Sequence, residues 1–201
     1  MRAERRRLCF ALVACGAATG GVALPARAAF GFNELMGTLA QRRSGEARFV
    51  EQRFVSVLDQ TLTYTGTLSF TAPDKLARHT LTPRPESFVV EGNQLTLQRG
   101  ERVRRVTLDS VPELAAMVEA MRGTLAGDGA ALQRYFKPTV RGAAARWTLT
   151  LVPLDFRLLG VVRELRIDGQ RADVRVVEVQ LADGDRSVMT IEPVADKPRT
   201  P

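Results

Sequence analysis

Residues 61–71 read Thr61-Leu62-Thr63-Tyr64-Thr65-Gly66-Thr67-Leu68-Ser69-Phe70-Thr71. Large apolar side chains at 62, 64, 68 and 70 alternate with hydroxyl side chains at 61, 63, 65, 67 and 69. Successive side chains of a strand point to opposite faces, so this period of two marks a half-buried antiparallel strand with one greasy and one wet face. Working outward, Asp59-Gln60 reads as the hairpin turn before it and Pro73-Asp74 as the turn after it. Phe49 to Leu58 reads as the preceding strand and Leu76 to Leu81 as the following one. Phe88 to Val90, Leu95 to Leu97 and Val103 to Leu108 continue the meander, with Gly92-Asn93 and Gly100 at the turns.

The pattern changes on both sides of this block. Phe32, Leu35, Met36 and Leu39 have helical spacing, so Phe32 to Ala40 reads as a short amphipathic helix ended by Gly45. After the meander, Ser110-Val111-Pro112-Glu113 has capping-box form. Leu114, Met117, Val118, Met121 and Leu125 then make one apolar stripe, broken at Gly127-Asp128-Gly129. Ala130 to Phe136 reads as a second short helix, ended by Pro138. Alternation returns at Trp147, Leu149 and Leu151, at Leu165 and Ile167 before a turn at Asp168-Gly169, and at Val177, Val179 and Leu181 before Asp183-Gly184-Asp185. Met189 and Ile191 close it. About ten strands in meander order with two or three helices predict a mainly β (α+β) fold: an antiparallel sheet with helices on one side. A sheet that long must curl or close.

The full chain has 201 residues and a net charge of +7, a balance that invites a nucleic-acid reading. Much of that charge sits at the N-terminus. Arg2, Arg5, Arg6 and Arg7 precede an uncharged stretch from Leu8 to Ala26, and Ala26-Arg27-Ala28 has the small-x-small form of a signal-peptidase site. Residues 1–28 therefore read as a cleavable signal peptide, 29–195 as one domain and 196–201 as a polar, Pro-rich tail. A retained membrane anchor and a lipoprotein signal ending at Cys15, within Leu12-Val13-Ala14-Cys15, are the rival readings; the Arg pairs also faintly resemble a twin-arginine signal. Removing five Arg and one Glu from 29 basic and 22 acidic residues leaves 24 and 21, about +3. Cys9 and Cys15 leave too, so the exported chain is thiol-free. Arg102, Arg104 and Arg105 fall on both faces of one strand rather than on a single basic face, and the nucleic-acid reading gives way to solvated strand faces.

Catalytic patterns are missing: no Gly-x-Ser-x-Gly elbow, no P-loop and no dinucleotide fingerprint occur, and His79 is the single imidazole. Glu51, Asp74, Glu86 and Asp155 are scattered carboxylates. A periplasmic hydrolase using His79 and Asp155 is the weakest of the readings. The positions to be explained are apolar. Phe49, Leu62, Tyr64, Leu68, Phe70, Phe88 and Leu97 on the strands, with Leu114, Met117 and Met121 on the helix, are the candidate liners of a lipid cavity; a packed core is the competing account of the same residues. Phe54, Leu95 and Trp147 are further candidates for the inward face, and a bulge between Phe49 and Phe54 would exchange some of these faces.

Three segments resemble a known family. Ala47-Arg48-Phe49-Val50-Glu51-Gln52 resembles the element opening the first strand of the LolA family of periplasmic lipoprotein carriers. Gly66-Thr67-Leu68-Ser69-Phe70-Thr71-Ala72-Pro73-Asp74-Lys75-Leu76 resembles that family's Gly-x-Leu-x-Phe-x-x-Pro hairpin, and Pro85 to Leu97, with Glu91-Gly92-Asn93 at its centre, resembles its strand–turn–strand unit. The resemblance implies an unclosed antiparallel β half-barrel whose helices cover the apolar concave face. It implies carriage of lipid or lipoprotein acyl chains through the periplasm, from an inner-membrane transporter to an outer-membrane receptor, by a monomer with no cofactor, no metal and no catalysis. Two departures accompany it. Ala72 stands where the family carries an Arg that helps control opening, and little chain follows Pro193. They leave open a carrier of another lipid or glycolipid, or a lipid-anchored receptor of the same fold if Cys15 is acylated.

Overall fold

The computed structural model describes residues 30–56 and 60–194. The signal-peptide, lipobox and C-terminal-tail expectations, and Asp59 of the expected first turn, lie outside these residues; Gln60 is already in a strand. Eleven strands form one antiparallel sheet: β1 (Ser44–Val55), β2 (Gln60–Thr71), β3 (Lys75–Thr82), β4 (Glu86–Glu91), β5 (Gln94–Arg99), β6 (Arg102–Thr107), β7 (Phe136–Ala143), β8 (Arg146–Pro153), β9 (Val162–Gln170), β10 (Asp173–Leu181) and β11 (Arg186–Pro193). Their spatial order is β6-β5-β4-β3-β2-β1-β11-β10-β9-β8-β7, and β6 and β7 are unpaired edges, so the sheet is not closed. Two meanders, β1–β6 and β7–β11, meet at the β1–β11 seam, where Phe49 faces Ile191 and Glu51 faces Met189. The helices are α1 (Phe32–Leu39), α2 (Pro112–Ala126), α3 (Gly129–Tyr135) and α4 (Phe156–Leu159), with a 3₁₀ turn at Leu108–Ser110. No described helix is long and apolar enough to cross a membrane.

Several local expectations are corrected, each for a physical reason. The first strand begins at Ser44, so Gly45 lies within β1 rather than ending the helix. The N-cap of α2 is Val111 with Pro112 in the first turn, where the missing N–H costs nothing. Ser110 does not cap; its hydroxyl donates to the Thr107 carbonyl at 2.6 Å. The helix expected to run to Phe136 stops at Tyr135, where Phe136 turns extended and opens β7. That strand contains Pro138, which a free edge tolerates because no ladder bond is lost on the open side. Asp168-Gly169 is not a turn but part of β9, and the reversal lies two residues on, where Arg171 adopts φ 52°. The glycine serves close approach instead: a Cβ on Gly169 would sit 2.2 Å from Trp147 Cζ2. The unforeseen α4 is capped by the Asp155 carboxylate, which accepts from the N–H groups of Arg157 and Leu158 at 2.7 and 3.3 Å.

The core is split in two. A larger cluster packs α1, α3 and the inner face of β8–β10 around Leu35, Leu132, Trp147, Leu149, Leu165 and Ile167. A smaller one joins Val90, Leu95 and Leu108 to Val118 of α2. Helix α2 bridges them, giving Ala116 and Ala120 to the first and Val118 to the second. Small side chains let it lie close at one end, so the middle of the sheet is roofed without being filled. Edge strand β6 exposes Arg102, Arg104 and Arg105, charges that discourage strand addition by another chain.

Candidate functional site

A cavity of about 640 Å³ lies between the two clusters, under α2. This is within the range of small-molecule sites, roughly 300–1,000 Å³. Its floor comes from the inner face of β1–β4 and β9–β11, and its walls are largely apolar, with Val177, Val179, Met189 and Ile191 contributed by the C-terminal meander. Of the sequence candidates, Leu62, Tyr64, Leu68 and Phe70 on β2, Phe88 on β4, and Leu114, Met117 and Met121 on α2 line it. Positions 62, 64, 68 and 70 of β2 share one parity with the buried Gly66, so the period of two places four of them at a stroke.

Two candidates stand elsewhere. Leu97 packs in the smaller core cluster on β5, against its cross-strand partner Phe88. Phe49 faces inward but is only 2% exposed. It sits opposite Gly66 in the β1–β2 register, and a Cβ on that glycine would lie 2.7 Å from its Cε1. The Arg78 guanidinium covers the ring from above, 4.7 Å from the centroid. Phe49 is therefore sealed beneath an arginine rather than bare to the cavity. Phe54 has the opposite parity to Phe49, with no shift in β1 register between them, yet it too borders the cavity at the end of β1, beside its cross-strand partner Arg186, whose guanidinium lies 4.6 Å from its ring.

Sequence reasoning missed the polar centre of this site. Glu51 is buried at 3% exposure, yet its carboxylate reaches the cavity wall. Its Oε1 accepts from Arg53 Nε at 2.8 Å and from the Ser187 hydroxyl at 2.6 Å, and its Oε2 pairs with Arg78 Nη2. The Arg53 guanidinium stacks 4.6 Å from the Tyr64 ring, the cross-strand neighbour of Glu51. Burial by itself would push the Glu51 carboxyl up. The Arg53 hydrogen bond, the Arg78 charge, the Ser187 hydroxyl and the Arg53 charge outweigh it and hold the group below the usual carboxylate range. Arg53 is raised in turn: burial lowers it, but bonding to Glu51 more than compensates. The one available signal was parity: Glu51 and Arg53 continue the inward series that Ala47 and Phe49 begin.

The other polar residues weighed earlier have local partners. His79 is exposed on β3, and its Nδ1 lies 3.1 Å from the Ser87 hydroxyl. Asp155 caps α4, and Glu86 pairs with Arg99. No group of three or more potential metal ligands occurs among the described residues. On its far side α2 is tied to the sheet by Arg122, whose Nη1 donates to the Gly92 carbonyl at 2.9 Å while Nη2 pairs with Glu119.

Comparison with known proteins bears on the same chain. No curated protein matches it in sequence. Among solved structures, a LolA superfamily protein from Nitrosomonas europaea is 11% identical, covers 84% of this chain and 95% of its own, and has a TM-score of 0.43. A DUF1329 family protein from Desulfovibrio piger is 8% identical over 83% of this chain and 93% of its own, with a TM-score of 0.45. LprF from Mycobacterium bovis is 11% identical over 85% and 96%, with a TM-score of 0.33. Each is a likeness in chain path only. The family model described as "outer membrane lipoprotein carrier protein LolA-like" matches residues 24–196, nearly the whole sequence. The chain thus belongs to the LolA-like family of outer membrane lipoprotein carrier proteins, as a divergent member.

Proposed function

We propose that the protein is a periplasmic carrier that holds the acyl chains of a lipid or lipoprotein between its sheet and α2 and moves them from the inner to the outer membrane. The observation that carries this reading is the apolar cavity, roofed by a helix bearing two methionines and two leucines where a packed core would otherwise close. Family membership supports a lipoprotein or lipid cargo. Burial of each CH₂ is worth about 0.8 kcal/mol, so a sixteen-carbon chain gains about 12 kcal/mol gross. Methionine side chains, unbranched and polarisable, suit a surface that must fit more than one chain conformation. On this reading Leu62, Tyr64, Leu68, Phe70, Phe88, Leu114, Met117 and Met121 bind lipid, and Phe49 acts through Arg78. Handover to an outer-membrane receptor requires α2 to lift, which its hold on Gly92 through Arg122 would govern.

The test is extraction of protein purified from its periplasm, followed by mass spectrometry of the organic phase. Stoichiometric acyl lipid is expected, and Met121→Glu, which puts a charge into the apolar wall, should lose it while still folding. Wild-type protein that yields no lipid and binds no added lipid would overturn the proposal.

A further inference from the structure

We infer that the cargo carries an anionic group and that Arg53 and Arg78 receive it inside the cavity; this rests on the cavity being an acyl-chain site. Two guanidinium groups and one carboxylate meet at Glu51, leaving one positive charge in excess within that cluster on the cavity wall, with Glu86 the next carboxylate felt by Arg53. The other two arginines on that wall have their own carboxylates: Arg42 pairs with Asp173, and Arg186 lies 3.6 Å from Glu178. Asp185, also on the wall, accepts from the Ser56 N–H and hydroxyl at 2.8 and 2.9 Å, and Glu46 lies towards the β1–β11 end of the wall.

Each guanidinium has five N–H donors in a fixed fork. Glu51 takes Arg53 Nε and one terminal nitrogen of Arg78, and among the described residues neither arginine has another hydrogen-bond acceptor. Stacking on Tyr64 and Phe49 holds both forks in place before any ligand arrives. Support of the fold alone would need at most one of these arginines, since a buried ion pair is often no better than an apolar pair of the same volume. A second, with spare planar donors beside an apolar enclosure, is the chemistry that captures a carboxylate or a phosphate. Glu51 then acts as the internal stand-in for that anion, keeping the arginines paired while the site is empty.

Competition against a neutral fluorescent probe, N-phenylnaphthylamine, tests this with three amphiphiles of equal chain length: dodecanoate, dodecyl phosphate and dodecanol. At neutral pH the anions should displace the probe at about tenfold lower concentration than the alcohol, the worth of one charge-assisted hydrogen bond. Whichever anion competes better identifies the group as carboxylate or phosphate. Arg53→Gln and Arg78→Gln should each bring the anions level with dodecanol measured on the same variant, whatever either change does to probe affinity, and Glu51→Gln should widen the gap. If Arg78→Gln fails to fold, Arg53→Gln carries the test, because that side chain is 44% exposed and leaves Glu51 paired with Arg78. Equal competition by all three, or an advantage that survives both arginine changes, overturns the anion site and leaves acyl binding standing. Failure of every amphiphile and of the probe to bind removes the acyl-chain reading and the anion site with it.

Discussion

Replacing Gly66 by alanine should unsettle the site through a single methyl group. Built on the backbone, that Cβ lies 2.0 Å from the His79 carbonyl oxygen and 2.7 Å from Phe49 Cε1. The first contact is with backbone on β3, at the point where the β2–β3 register shifts, so it cannot be relieved by turning a side chain. The second displaces the ring that supports Arg78. Overpacking of this kind costs about 3 kcal/mol at the upper end of its usual range. Alanine recovers about 0.5–1 kcal/mol by restricting the unfolded chain, for a net loss of about 2 kcal/mol. For a domain of this size that lowers Tm by about 4–8 °C. Gly37 is the internal control. It is exposed in α1 with nothing within 4 Å of its would-be Cβ, so the same substitution there should raise stability by about 0.5–1 kcal/mol. Urea unfolding of both variants, with unchanged m-values, measures the pair. Gly66→Ala melting within about 1 °C of wild type would refute the packing of Phe49 over Gly66 and the placement of Arg78 that depends on it.

Three further outcomes are expected. The Glu51 carboxyl, held low in the folded state, contributes stability that is complete above the unfolded value of about 4.3 and is lost as pH falls through its folded value. Glu51→Gln should therefore flatten the acid limb of the urea midpoint plotted against pH, and an unchanged limb would count against the network. Arg122→Ala should speed hydrogen exchange along α2 more than along α1, because it severs the bond to the Gly92 carbonyl, worth about 1–3 kcal/mol; equal protection in both proteins would show that the helix is held elsewhere. The single tryptophan, Trp147, is 1% exposed, donates to the Arg171 carbonyl at 2.9 Å and does not line the cavity. Its emission should be blue-shifted, shielded from acrylamide and unmoved by bound amphiphile, which makes it a reporter of unfolding alone.

The sheet was legible wherever one face is wet and the other buried. Along β8 the alternation is unbroken and along β2 only Gly66 interrupts it, and both strands lie where it places them. It was illegible at β7, where Pro138 and Gly142 interrupt the pattern because an edge strand need not satisfy both neighbours. Asp168-Gly169 misled because one glycine can answer two needs, a tight turn or the close approach of an indole, and the residue name is the same. Strand parity and the helical stripe anticipated most of the apolar wall of the cavity, Phe49 and Leu97 excepted. They did not anticipate its polar half, because Arg78 and Ser187 are 27 and 136 residues from Glu51, and only the folded register brings them together. Local pattern shows which way a side chain points but not what meets it there.

The β1–β11 seam also sets an order of events. A chain made from its N-terminus completes β1 to β6 long before β11, yet the last strand is the one that pairs with the first. Leu62 and Tyr64 wait on one meander while Val177 and Met189 are still to come on the other. Until β11 docks there are two half-sheets, each with a raw inner edge, and no enclosed volume between them. The cavity is thus among the last features of the molecule to exist, and a product that stops before β11 lacks it entirely rather than holding a leaky version of it.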